Sequence, residues 1–112
     1  MELVLPAFNI VTCIGVLQRT NFYAAAFLEK VNALLHHGGC LFLDTKNSIW
    51  EEFTKGRLVP DPHLQWFDLE NLKRMAAEAG LRPLRASAFD PHSGRIVAEA
   101  KSSTIFLVAE KP

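Results

Sequence analysis

The chain has 112 residues, 49% of them hydrophobic, and its 12 Lys plus Arg balance 12 Asp plus Glu to a formal net charge of zero. That length suits one domain, residues 1–112, with a single core, and the apolar content excludes a disordered chain. The charge balance, with no basic run and no interleaving of basic and aromatic residues, gives nothing to hold nucleic acid, and a neutral surface opposes self-association only weakly.

In chain order, the N-terminal stretch MELVLPAFNIVTCIGVL is apolar but lacks a basic leader, and Glu2, Pro6, Asn9 and Thr12 interrupt it. It reads as a strand rather than a signal peptide or membrane span, so a soluble, cytoplasmic protein without a membrane partner is expected. Phe8 to Leu17 is nearly continuously apolar and rich in Val, Ile and Thr, as a doubly buried strand should be. Thr20 or Asn21 can cap the helix that follows. Its buried stripe is predicted as Tyr23, Phe27, Val31 and Leu34, flanked by Leu28 and Leu35, with Glu29, Lys30 and Asn32 in water. His36-His37-Gly38-Gly39 then stops the helix, Gly38 or Gly39 supplying a left-handed residue, and Cys40 to Leu43 is a second strand. A strand, a helix and a strand in that order predict a right-handed parallel crossover, with helices covering each side of the sheet.

The second strand runs into polar Asp44-Thr45-Lys46-Asn47, and the carboxyl ends of strands are where open α/β sheets bind ligands. The alternative for these residues is a solvated loop of turn formers. Ser48 to Leu58 reads as a short helix or lid on which Trp50 and Phe53 share one side, and Val59-Pro60-Asp61-Pro62 is a turn. Asp68 caps a second main helix whose apolar face is Leu69, Leu72, Met75, Ala76 and Ala79, and Gly80 ends it. Leu81 to Phe89 is strand-like, Asp90 to Gly94 turns into a hairpin, and Ser103 to Ala109 is the last strand.

Cys13 and Cys40 both fall in apolar strand-like runs and read as buried reduced thiols, although neighbouring parallel strands could bring them within reach of a disulfide. No C-x-x-C spacing calls for zinc, and His36 and His37 sit where a helix C-terminus favours partial positive charge, so no metal site is assigned. Ser48, Ser87, Ser93, Ser102 and Ser103 lack a nucleophile-elbow context, and no nucleophile–base pair stands out.

Four segments, FNIVTCIGVLQR, FLEKVNALLHHGGCLFLDTKN, HLQWFDLENLKRMAAEAGLRPLR and STIFLVAEKP, together resemble the C-terminal half of a class I S-adenosylmethionine-dependent methyltransferase. The resemblance implies an α/β fold: a partial Rossmann-like methyltransferase sheet of about four to five mixed strands, the last antiparallel, with two main helices. It implies the strand order fourth, fifth, seventh, sixth, and S-adenosylmethionine as cofactor. Cys13, Ile14, Gly15 and Val16 then fall beside the methionine portion of the cofactor, and Asp44, Thr45, Asn47, His63 and Trp66 on the substrate side. Where that pattern has an acidic residue near the start of its fourth strand this chain has Asn9. Where it has His after that strand this chain has Arg19, and His36-His37 replaces the Lys-Pro before Gly-Gly.

The family's glycine-rich cofactor turn, similar to G-x-G-x-G, is absent: the six glycines stand at 15, 38, 39, 56, 80 and 94. Without it the backbone cannot approach the cofactor closely and present amides to it. The expected function is therefore a methyltransferase-like protein of low or no activity alone, truncated or half of a split enzyme; whether it is an enzyme stays open. The alternative is a non-catalytic dimerising or interaction module. Phe8 to Leu17, central in the family sheet, becomes an unpaired apolar edge here and predicts a homodimer or partner chain along it.

Overall fold

The structure, a computed structural model, describes residues 7–20 and 23–112. Its elements are β1 (Phe8–Cys13), α1 (Ala24–Leu34), β2 (Leu35–Lys46), α2 (Glu51–Thr54), α3 (Leu69–Glu78), β3 (Arg82–Phe89), β4 (Ile96–Val97) and β5 (Thr104–Glu110), with 3-10 turns at Leu17–Arg19 and Glu99–Lys101. One mixed sheet has the order β1-β2-β5-β3-β4. β1 and β2 are parallel, and β5 runs antiparallel between β2 and β3. This is the strand order expected from the resemblance.

Alternation along the strands divides their residues between two faces. Leu41 and Leu43 of β2, Ile105, Leu107 and Ala109 of β5, and Ala88 of β3 form the floor of the core. Leu28 and Val31 of α1 and Leu72 and Ala76 of α3 form its roof. Both main helices lie on this one face. The expectation of helices on each side is therefore corrected: among the described residues both main helices cover one face and none covers the other.

α3 follows its local signals. The Asp68 carboxylate accepts the Asn71 N–H at 2.8 Å, which satisfies a donor of the first turn. Leu72 and Ala76 are buried, Leu69 and Met75 pack against the core edge, and Gly80 leaves the helix at φ +89°.

The first half of the chain needs four corrections. β1 ends at Cys13 rather than Leu17, because Gly15 turns the chain at φ +66° into the Leu17–Arg19 turn. α1 buries Ala24, Leu28 and Val31, whereas Tyr23 is 70% exposed, so the inward stripe is turned by one position from the predicted one. The Thr20 hydroxyl donates to the Leu17 carbonyl instead of capping α1, and Asn21 lies outside the described residues. His36-His37-Gly38-Gly39 belongs to β2: Leu35 is already extended, the Gly38 N–H donates to the Lys111 carbonyl at 2.6 Å, and the Lys111 N–H donates to the Gly39 carbonyl at 2.9 Å.

Cys13 is buried on the core side, and Cys40 lies on the opposite face, paired with Ile10. Both are free thiols. Burial pushes the Cys13 thiol up from its ordinary range, which keeps it protonated at neutral pH. Among the described residues no helix is long and apolar enough to cross a membrane.

Candidate functional site

β1 and β2 run parallel and end side by side, so their carboxyl ends bring two chain-distant segments together. After Cys13 the chain bends through Ile14 and Gly15, and the Gly15 N–H donates to Asp44 Oδ1 at 2.7 Å. Asp44 is not in a loop; it pairs with Phe106 within β2, as Thr45 pairs with Ile105. The strand's pleat therefore aims the Asp44 carboxylate to one face and the Thr45 hydroxyl to the other.

A hollow of about 340 Å³ lies over this junction, walled by Ile14, Gly15, Gln18, Asp44, Thr45 and Lys46, with Phe89, Pro91 and Thr104 across it. The Thr45 hydroxyl donates to Gln18 Oε1 at 3.1 Å in a buried contact, fixing the Leu17–Arg19 turn against β2. The Gln65 N–H donates to the Gln18 carbonyl at 2.8 Å, tying the segment before α3 to the same turn. A second hollow of about 220 Å³ shares Pro91 and is bounded by Trp50, Asp90, His92 and Lys101.

The structure brings some of the sequence-predicted residues together and separates others. Ile14, Gly15, Asp44 and Thr45 line the first hollow, whereas Cys13 points into the core and Val16 is outside its wall. Asn47 is fully buried, and its amide holds the fold. Its Nδ2 donates to the Glu99 and Ser102 carbonyls at 2.6 and 2.9 Å, and its Oδ1 accepts the Ile49 N–H at 3.1 Å. Trp66 donates its indole N–H to the Asp61 carbonyl at 2.9 Å and meets Phe53 edge-on. Phe53 in turn meets Trp50 at 5.2 Å, so Trp66 reaches the second hollow only through two other rings. His63 is exposed on the Asp61 turn, where its backbone N–H donates to Asp61 Oδ1.

Sequence reasoning did not single out Gln18, Lys46, Phe89, Pro91 or Lys101 as site residues. Lys46 lies in β2 beside Thr45 and Gln18 in the turn after β1, whereas β5 and the hairpin bring Phe89, Pro91 and Lys101 to this edge, a pairing of which a local pattern carries no signal. A larger hollow, about 360 Å³, lies on the outer side of α1 between Thr20, Tyr23, Phe27 and Lys30, and no strand end reaches it. Among the described residues no three His, Cys, Asp or Glu side chains gather to hold a metal ion.

Compared by sequence, the chain matches no family model and no curated protein. Its fold has clear counterparts. The CcbJ methyltransferase from Streptomyces caelestis matches all of this chain over 64% of its own length, with TM-score 0.75 and 14% identity. A SAM-dependent methyltransferase from Thermotoga maritima matches 99% of this chain over 60% of its own, with TM-score 0.72 and 15% identity. Magnesium protoporphyrin IX methyltransferase from Synechocystis PCC 6803, solved with bound SAH, matches 96% over 46%, with TM-score 0.65 and 15% identity. The chain thus has a partial class I S-adenosylmethionine-dependent methyltransferase fold. It spans about two-thirds or less of the chains it matches.

Proposed function

We propose that residues 1–112 act as one methyltransferase-like unit whose hollow at the ends of β1 and β2 takes the methionine end of S-adenosylmethionine. Ile14 and Gly15, with Cys13 and Val16 behind them, form the cofactor side. Asp44 and Thr45 form the substrate side, with Asn47 bracing that edge from within and His63 and Trp66 standing outside the hollow on the Asp61 turn. The observation that carries this reading is the bond from the Gly15 N–H to Asp44 Oδ1, which joins the two predicted groups at one wall.

The fit to the cofactor is partial. The hollow supplies a bare backbone at Gly15, where an added Cβ would meet only Gln18 Nε2 at 3.5 Å, and a carboxylate beside it. It supplies no glycine-rich turn and no second acidic residue for a ribose, so these residues carry no complete cofactor site and no transfer step is drawn through it. S-adenosylmethionine brings a sulfonium carbon that is already activated, and a protein's part in such chemistry is largely proximity and orientation. Low or no activity for the 112 residues alone follows, in a cytoplasmic setting, until polypeptide along the β1 edge completes the sheet. A solved methyltransferase-fold neighbour in complex with the Haloferax volcanii Trm112 methyltransferase activator is one precedent for a partner chain.

The second reading, a non-catalytic dimerising or interaction module, is favoured by the β1 edge itself, where Phe8 is 50% and Ile10 68% exposed. The two readings separate in a titration with S-adenosylhomocysteine followed by amide chemical shifts. Shifts at Cys13 to Val16 and Asp44 to Lys46 with micromolar affinity support the enzyme-derived site. Their absence at millimolar ligand overturns it and leaves the interaction module.

A further inference from the structure

The face of the sheet opposite α1 and α3 carries an apolar diagonal. By register it runs from Ile10 on β1 through Phe42 on β2, Val108 and Phe106 on β5, and Phe89 on β3, to Ile96 on β4. Phe106 stacks on Phe42 and meets Phe89 edge-on, each at 5.9 Å between ring centroids. Ile10 and Ile96 at its two ends are 68% and 50% exposed, Phe42, Val108 and Phe89 are half-buried, and Phe106 between them is closed in by the neighbouring rings at 8% exposure, so a partner would meet the ends and the flanks of the diagonal. Asp44 lies on one flank of this diagonal, level with Phe106. Exposed Arg85 lies on the other flank, level with Val108.

We infer that a second copy of this chain stacks on this face, with a twofold axis along the aromatic diagonal. The geometry is self-complementary. Strands about 4.8 Å apart and same-face residues about 6.7 Å apart make the diagonal cross the strands at roughly 45°. A twofold along it therefore crosses the strands of the two copies at roughly 90°, one of the two preferred arrangements of packed sheets. The same axis lays each flank over the opposite flank of the other copy, so the partner subunit's Arg85 comes over Asp44, a carboxylate over a guanidinium. The face measures roughly 24 by 23 Å from five strands of about seven residues. That projected area, about 550 Å², is roughly two-thirds of the about 800 Å² that each partner buries in a stable complex, so the dimer is weak and concentration-dependent. Zero net charge leaves no overall repulsion against it. In this dimer the partner subunit's Arg85 also roofs the hollow at Asp44, so association alters the candidate site. The surface is distinct from the β1 edge, and the inference does not depend on cofactor binding.

The test is sedimentation equilibrium on the 112-residue chain and on Arg85→Asp, Asp44→Arg and the double exchange, each checked for fold by circular dichroism. The wild type should dimerise in the micromolar range. Each single exchange should weaken dimerisation at least about tenfold, and the double exchange should recover most of the loss. Ile96→Lys, at the exposed end of the diagonal, should weaken it as well. A wild type still monomeric at several hundred micromolar overturns the inference. So does a double exchange that associates no better than the single ones.

Discussion

The two faces of the sheet are built from alternate residues of the same strands, yet they are closed in different ways. On the covered face Leu41, Leu43, Ile105 and Leu107 are fully buried beneath Leu28 and Leu72. On the other face Phe42 and Phe89 are half-buried and close over Phe106, and among the described residues no main helix lies above them. Parallel pairing ordinarily goes with burial on both sides, because each crossover lays its helix on a face. Here one crossover, α1, and α3 supply a single layer. The lesson is that a strand's hydrophobicity reports what it needs buried: among the described residues the two main helices meet that need on one face, and the aromatic rings meet part of it on the other.

The largest effect sharpens this contrast by removing a side chain from each region. Leu72→Ala opens a cavity beneath α3 and should cost about 2–5 kcal/mol in urea unfolding. Phe42→Ala removes more atoms from a half-buried site and should still cost less, about 1–2 kcal/mol, because much of that surface already meets water. Leu72→Ala should be independent of protein concentration, whereas the cost of Phe42→Ala should grow with it if a second copy covers the open face. An unchanged stability for Leu72→Ala would remove α3 from the core.

A smaller effect comes from Gly39, where β1 is held against β2. An added Cβ there would sit 2.8 Å from the His36 carbonyl oxygen, 3.0 Å from that of Asn9 and 3.2 Å from Leu35 Cδ2. Two of these are backbone atoms, one within β2 and one in β1, so the relief must come from bending the start of β2 and moving β1 away from it. Gly39→Ala should cost about 1–3 kcal/mol and speed amide exchange along β1 more than along β5. Equal protection of both strands would mean that the contact relaxes locally. Gly38→Ala makes a useful comparison, since its φ of +83° is strained for alanine but open space surrounds the site.

Gly39 also marks where the sequence was legible and where it was not. α3 is legible because Asp68, the apolar spacing and Gly80 all act within one helix. The order of strands followed from the ordered segments of the family resemblance. His36-His37-Gly38-Gly39 looked like a helix stop followed by a turn, and its strand character is set by Lys111, over seventy residues away. Asp44 and Thr45 looked like a loop because they are polar, but β5 pairs with them, and buried Thr45 is satisfied by Gln18. The stripe of α1 turned by one position because packing against α3 and the sheet selects small Ala24 over large Tyr23. These three departures come from long-range partners, and of those partners β5, through Thr104, and Gln18 wall the hollow at Asp44.

The smallest effect lies on α2, where neither face of the sheet provides the hold. Glu51 accepts from the Lys101 ammonium at 3.0 Å and from Lys55 at 3.3 Å, so α2 is tied to the Glu99–Lys101 turn beside the second hollow. The hydrogen bond from Lys101 above all holds the Glu51 carboxyl below the usual carboxylate range. A carboxylate whose folded value is depressed stabilises the fold above its unfolded value, and that contribution is lost as the pH falls through the folded one. Acidification below about pH 4 should therefore loosen α2 while the sheet remains intact, and salt should weaken the same tie because the pair is exposed. Carboxyl chemical shifts across that range give the Glu51 midpoint directly. In Lys101→Ala the midpoint should rise toward the ordinary carboxylate value and the α2 amides should exchange faster at neutral pH, with the core amides unchanged. A midpoint unmoved by Lys101→Ala would mean that α2 is held by the Trp50–Phe53–Trp66 ring contacts alone.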